Sequence, residues 1–289
     1  MSTTLAAPAV GLAFAPGAPQ SSYADGAVVL WSANGLGADA WLVRLAGRGL
    51  AHGSIAALSH FGLAEGATCV GAAGEGAVFG DSQGRLWYGV AGRQEAQEAE
   101  WRGKGPVQAV ANAGRRSIVG LGWGGAVMVD WEGGGVEVGR VETGGTVNVV
   151  GWMGRQGVVA GEGWAGSWDE REGRMRRGAM RGRGMNVAEW REEEAVVGLS
   201  GGGVAVVRGG GEVREVEEEE EEGRGGRWVW RGGQQSVGVW EGGQLRGPAA
   251  EEARLAGPIQ AAAYLERLGV LAAGTHKGKL QLMGVGGGR

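Results

Sequence analysis

The chain has 289 residues, among them 64 glycines, 13 tryptophans, 6 prolines and one cysteine, and carries a net charge of −4. Glycine at that density excludes a helix-rich fold, because each interior Gly costs roughly 1 kcal/mol relative to Ala, and so few prolines without a three-residue glycine period exclude collagen. The small net charge points to no strongly acidic or basic partner for the molecule as a whole, and a lone Cys69 excludes an internal disulfide.

Taken in order, the sequence alternates short apolar runs with Gly-, Asp- and Asn-containing turns. Val10–Gly17 is expected as a strand ended by Pro16-Gly17, followed by strands at Ala27–Trp31, Trp41–Leu45 and Ser54–Leu58. Ala67–Gly71, Ala77–Phe79 and Leu86–Tyr88 follow, the last two joined by the turn Gly80-Asp81-Ser82-Gln83-Gly84-Arg85. Gln94–Glu100 is the one place where a helical turn or a polar loop is expected.

Beyond it the pattern resumes at Pro106–Val110, Ser117–Leu121 and Ala126–Trp131, then at Thr146–Val150, Gly157–Ala160 and Gly166–Trp168. Met185–Trp190, Ala195–Gly198 and Val204–Val207 make a further set, Arg227–Trp230 and Ser236–Trp240 a shorter one. Pro258–Ala263, Leu268–Ala273 and Leu280–Met283 complete the chain.

Opening strands near Val10, Ile55, Val107, Val147, Val187, Val229 and Ile259 recur at intervals of 45, 52, 40, 40, 42 and 30 residues. A unit of about 40 residues holding several short strands is the signature of a propeller blade, which buries its apolar faces only by stacking on its neighbours. The expectation is an all-β chain forming a single β-propeller over 1–289, with short four-stranded antiparallel blades. Seven blades use the whole length, and six, with 208–257 partly looped out, is the rival count. Charged loop insertions are expected at about 171–184 and 208–226.

Asp25-Gly26-Ala27-Val28-Val29-Leu30-Trp31 and Gly274-Thr275-His276-Lys277-Gly278-Lys279-Leu280 share a frame with Gly80–Trp87: a Gly-bearing polar turn leading into an apolar strand. These frames resemble the step into the third strand of WD40 repeats, although Trp-Asp occurs only once, at Trp168-Asp169, and Gly-His is absent. The resemblance implies a non-enzymatic protein–protein interaction scaffold: a monomeric propeller inside a larger complex, with other protein subunits as partners and no cofactor. A cytoplasmic and/or nuclear location is the expectation, since the lone Cys69 favours a reducing compartment, no basic residue precedes Arg44 as a secretory signal would require, and no apolar run is long enough to span a membrane.

The motifs that carry chemistry elsewhere are poorly matched here. Gly120-Leu121-Gly122-Trp123-Gly124-Gly125 fits the dinucleotide fingerprint but runs into a strand pattern, not the helix N-terminus that would hold pyrophosphate. His52, His60 and His276 lack metal-ligand spacing, and no nucleophile elbow is present. No catalytic residue and no metal ligand is assigned.

Two charge blocks remain. Arg171, Arg174, Arg176, Arg177, Arg181 and Arg183 crowd one segment and are the candidate partner-binding residues, whereas Glu215 to Glu222, interrupted only by Val216, form an acidic run. Nucleic acid is not the expected partner, because no aromatic residue interleaves the arginines for base stacking. Trp31, Trp87, Trp131, Trp168 and Trp240 recur with the unit and are expected as wedges between blades. Two other readings are kept: a carbohydrate-binding propeller using such aromatic faces, and a propeller of the regulator-of-chromosome-condensation kind, suggested by Gly84-Arg85-Leu86-Trp87-Tyr88-Gly89.

Overall fold

The computed structural model describes residues 1–15, 27–46, 49–73, 76–169, 171–191, 193–200, 203–216, 226–232, 235–240, 245–246, 258–265 and 269–284. After β1 (Ser2–Thr4), the first sheet is an antiparallel meander of β2 (Ala9–Phe14), β3 (Ala27–Asn34), β4 (Gly37–Ala46) and β5 (Gly49–Gly62). The second comprises β6 (Cys69–Ala73), β7 (Gly76–Gly80), β8 (Arg85–Val90) and β9 (Gln97–Arg102). The third comprises β10 (Val107–Ala113), β11 (Arg116–Leu121), β12 (Gly125–Asp130) and β13 (Val136–Glu142).

A seven-stranded sheet follows, made of β14 (Val149–Met153), β15 (Gln156–Ala160), β16 (Glu162–Asp169), β17 (Arg174–Arg191), β18 (Glu194–Leu199), β19 (Val204–Arg208) and β20 (Val213–Val216). Then come a three-stranded sheet of β21 (Gly226–Gly232), β22 (Gln235–Trp240) and β23 (Leu245–Arg246), and a last sheet of β24 (Ile259–Leu265), β25 (Val270–Thr275) and β26 (Lys279–Gly284). The amino-terminal β1 adds to β26 as the fourth strand of that last sheet.

The first strands pack on one another in succession, β6 on β2, β10 on β6, β14 on β10, β17 on β14 and β21 on β17, while β2 also packs on β24 of the last sheet. The result is a propeller-like ring. Its core lies between sheets, not inside any one of them. Trp31, Ala40 and Phe61 of the first sheet share a buried cluster with Val70 and Phe79 of the second, and Val78, Leu86 and Trp101 of the second share one with Val119 and Val127 of the third. Leu12, Leu30 and Trp41 meet Ala261, Ala272 and Leu280 across the closure. A single meander cannot bury both faces alone, so the ring and the strands are stabilised together.

Several expectations need correcting. Among the described residues four sheets are four-stranded, not the seven expected. The difference lies at β17, an 18-residue strand that pairs with β16 through its first part and with β18 through its second. It passes from outer to inner position through a bulge between Ala179 and Arg183, without a loop. The loop insertion expected at 171–184 is therefore a turn followed by strand. The insertion expected at 208–226 begins as a tight turn and β20, while 217–225 lie outside the described residues.

Ile55 does not open a second unit. It belongs to β5, an outer strand on which Ser54, Ala56 and Ala57 are exposed, and the inner strand is β6. Of the segment Gln94–Glu100, residues 94–96 are loop, as one alternative expected, and Gln97 onwards is β9, where Ala99 and Trp101 alternate inward from exposed Glu98 and Glu100 and face the third sheet.

Candidate interaction surface

A four-stranded meander puts its turns at two ends. Turns joining second to third strands, together with the connections between sheets, lie on what we call face I; turns joining first to second and third to fourth strands lie on face II. Residues on a turn can therefore be assigned to a face from topology alone.

The turn at Gly80–Arg85 is a structural device of face I. The Asp81 carboxylate, fully buried, accepts from the amides of Gln83 and Arg85 at 2.9 and 3.0 Å and from Arg85 Nε at 2.6 Å. Gly84 takes φ +81°, a conformation that side chains resist. Equivalent positive-φ glycines stand at Gly124, Gly163, Gly203 and Gly278.

In the first sheet Asp39 plays a related part. Its carboxylate accepts from Asn34 Nδ2 at 2.7 Å and lies 2.7 Å from His60 Nδ1, while Ser32 Oγ is 3.5 Å away and accepts from Trp41 Nε1 at 3.0 Å. This places a serine, an aspartate and a histidine together, which the separation of 28 residues between Ser32 and His60 concealed. The order is not that of an activated nucleophile: the carboxylate sits between the hydroxyl and the imidazole, and Ser32 is fully buried. The network fixes strands.

Other candidate chemistry is likewise absorbed by the fold. The segment Gly120–Gly125 is the β11–β12 hairpin, with no helix to hold a phosphate. Burial pushes the Cys69 thiol up to about 12, opposed by hydrogen bonding from Gly80 and Thr68, so it is an inert core group. His276 is exposed on a turn, and the side chain of His52 lies outside the described residues. Among the described residues no cluster of three metal-ligating side chains occurs. No helix among them is long and apolar enough to cross a membrane.

The six arginines do not form one patch. Arg171 is in the β16–β17 turn on face II, with Arg174 at the start of β17, whereas Arg181 and Arg183 lie at the crossing on face I, roughly 30 Å further along the strand. Successive side chains also take opposite faces of the sheet. Arg177 donates Nη1 to the Thr143 carbonyl at 2.7 Å, towards the third sheet, while the Arg176 side chain lies against Gly211 beside β20 and reaches Glu172 at 3.3 Å. Arg181 pairs with Glu215, the first residue of the acidic run, at 3.7 Å.

On face II an open cleft of about 900 Å³ is lined by Met153, Arg155, Gln156, Glu194, Arg208 and Glu212. Its central cation is already matched: Arg208 donates to Glu194 at 2.9 Å and to Glu212 at 3.3 Å, and these two bonds hold its pKa above the ordinary arginine value.

Among the described residues, face I carries the most exposed large apolar groups. Trp123, at the tip of the β11–β12 turn, is 77% exposed, and Leu36, at the tip of the β3–β4 turn, is 49% exposed. Of the tryptophans expected as wedges, Trp31 and Trp168 are fully buried between sheets, and Trp87 and Trp131 pack partly buried against the same clusters. The side chain of Trp240 lies outside the described residues. Trp123 was not singled out by any repeat position, since only its place at a turn tip distinguishes it.

The geometry is shared with solved structures. The WD40 β-propeller domain of Doa1 superposes with a TM-score of 0.70 at 12% identity, over 97% of this chain and 94% of that one. The fold they share is a β-propeller. A chain of the mitotic checkpoint complex matches this propeller with a TM-score of 0.75 at 12% identity, covering 99% of this chain and 95% of that one. U3-55K matches with a TM-score of 0.72 at 14% identity, covering 98% of each. No protein-family model matches the propeller's sequence, and no curated protein does.

Proposed function

We propose that this propeller is a non-enzymatic scaffold for protein–protein interaction, a single domain of seven blade units that works as one subunit of a larger cytoplasmic or nuclear assembly. In this reading the seven-stranded sheet counts as two units sharing β17, and the three-stranded sheet as one. The observation that carries it is the exposure of Trp123 and Leu36 on face I, in a molecule whose other large apolar groups are mostly packed between sheets. Isolated exposed indoles on rigid turns are the kind of anchor that protein interfaces are built on. The chains of protein assemblies that share the fold support the same reading.

The partner contact is assigned to face I, with Arg181 and Arg183 as its charged rim and the other four arginines outside it. Affinity purification of the native protein tests the function: stoichiometric co-purifying subunits are expected. A protein that recovers no stable partner and binds sugars saturably on a glycan array would be a lectin instead, and among the described residues Trp123 is the indole exposed enough to serve that second reading.

A further inference from the structure

The outer strand of each sheet leaves one row of backbone N–H and C=O groups unpaired, and such an edge takes up another strand unless something blocks it. Charge blocks three of them: β9 carries Glu98 and Glu100, β13 carries Glu137 and Arg140, and β20 carries Arg214 and Glu215. β1 and β23 are three and two residues long, which leaves little edge to pair.

β5 has neither protection. It runs for 14 residues and contains no Asp, Glu, Lys, Arg or Pro, and among the described residues only β4 pairs with it. A bulge at Leu58 divides it into two straight runs. The second run is engaged with the second sheet, where Ser59 Oγ accepts from the Gly92 amide at 2.7 Å and Phe61 is buried. The first run, Ser54–Ala57, pairs with Trp41–Arg44 in unbroken register and exposes Ser54, Ala56 and Ala57. Ile55 and Leu58 are half-buried against the clusters beneath, so part of each is left for a further strand to cover.

A row of unpaired amides and carbonyls is met by an extended backbone, so the occupant is a strand. Charge selects which strand. One that carries charges finds no counter-charge on β5, whereas β5 itself brings none. In a two-fold antiparallel pair each residue lies opposite or diagonal to residues of the same sequence, and like charges so placed repel. Of the longer outer strands described, β5 alone meets its own copy without that repulsion, and its exposed side chains are small.

We propose that the chain pairs with a second copy of itself through β5, antiparallel about a two-fold axis near Ala56, so that two four-stranded sheets become one continuous sheet. The contact lies at the rim of the ring, so face I of both copies stays open to other subunits. The inference is independent of the scaffold reading, and in it the propeller enters an assembly as a pair and not as the monomer expected from the WD40 resemblance.

The test is sedimentation velocity of the purified full chain, alone, over a rising concentration series, with hydrogen exchange read by mass spectrometry at both ends of the series. A shift from 29.6 kDa to twice that mass is expected, without larger species, and with slowed exchange confined to peptides covering 54–58. Ala56→Lys sets lysines against each other across the axis and should weaken the pair at least about ten-fold, as should Ala56→Glu. Mixing the two variants should restore the double mass, which misfolding of either cannot produce. A wild-type chain that stays at 29.6 kDa up to its solubility limit, or a pair whose slowed exchange lies elsewhere, would overturn the proposal. So would a pair that Ala56→Lys leaves intact, or folded variants that fail to pair when mixed. If either variant does not fold, the wild-type exchange map decides by itself. Partner subunits in the native preparation bear on the scaffold reading and not on this one.

Discussion

Arg85 donates Nε to Asp81 Oδ2 at 2.6 Å from a guanidinium that is 20% exposed to a carboxylate that is 0% exposed. The pair closes the β7–β8 turn, and the same carboxylate holds two backbone amides. Removing it takes the acceptor from both amides and from Arg85 Nε at once. Asp81→Ala should therefore cost about 2–4 kcal/mol, more than Arg85→Ala, which leaves the two amide bonds in place. Urea unfolding of both variants measures the order.

Gly71 sits where inner strands β6 and β10 approach. A methyl group there would lie 2.6 Å from the Val110 carbonyl oxygen and 2.8 Å from Asn112 Nδ2, and Asn112 in turn donates to the Gly71 and Ala72 carbonyls at 2.6 and 3.1 Å. Gly71→Ala should destabilise by about 1–3 kcal/mol through this collision. Gly62→Ala, where the nearest atom is His60 Nε2 at 3.8 Å, should stay within about 0.5 kcal/mol of wild type. A pair of thermal melts compares them.

Cys69 should resist modification. With its thiol pushed up to about 12 by burial, the thiolate fraction at pH 8 is about one part in 10⁴. A chromogenic disulfide reagent should leave the folded protein unmodified and react with one thiol per chain in denaturant. The linkage has the same cause: the folded thiol titrates above its unfolded value, so this contribution to stability is complete below the ordinary thiol pKa and is lost as pH rises from there towards about 12.

Glu137 couples two blades to pH. Its carboxyl is held below the usual carboxylate range by the Arg140 hydrogen bond, against the opposing effect of burial, with further lowering by the Trp101 indole, which donates at 2.7 Å from the neighbouring sheet. A lowered folded pKa contributes stability that is present above the unfolded value and lost as pH falls through the folded one. The stability gap between wild type and Glu137→Gln should therefore close on acidification below the ordinary glutamate range. Denaturant titrations at neutral and acid pH read it.

The rhythm of short strands and glycine turns was legible because each turn needs a residue that accepts positive φ, as at Gly84 and Gly278. Blade boundaries were harder. Apolar Ile55 on an outer strand looks like an inner one, since β-pattern alone does not say which sheet lies opposite. The continuity of β17 was hidden because its charged and glycine residues suit a loop, and only pairing with β16 and β18 makes them a strand. In the region 94–100 the alternation that continues into Trp101 was present, but it lay at the end of the segment expected as a helical turn or a polar loop. The Ser32–Asp39–His60 grouping arises from packing between strands, so it has no contiguous motif.

The native mass of the protein tests the central claim most directly. Purified gently from the cells that make it and passed through size exclusion with light scattering, the chain should elute with stoichiometric partner subunits at a mass well above its own 29.6 kDa. A lone 29.6 kDa species under those conditions would contradict the scaffold account.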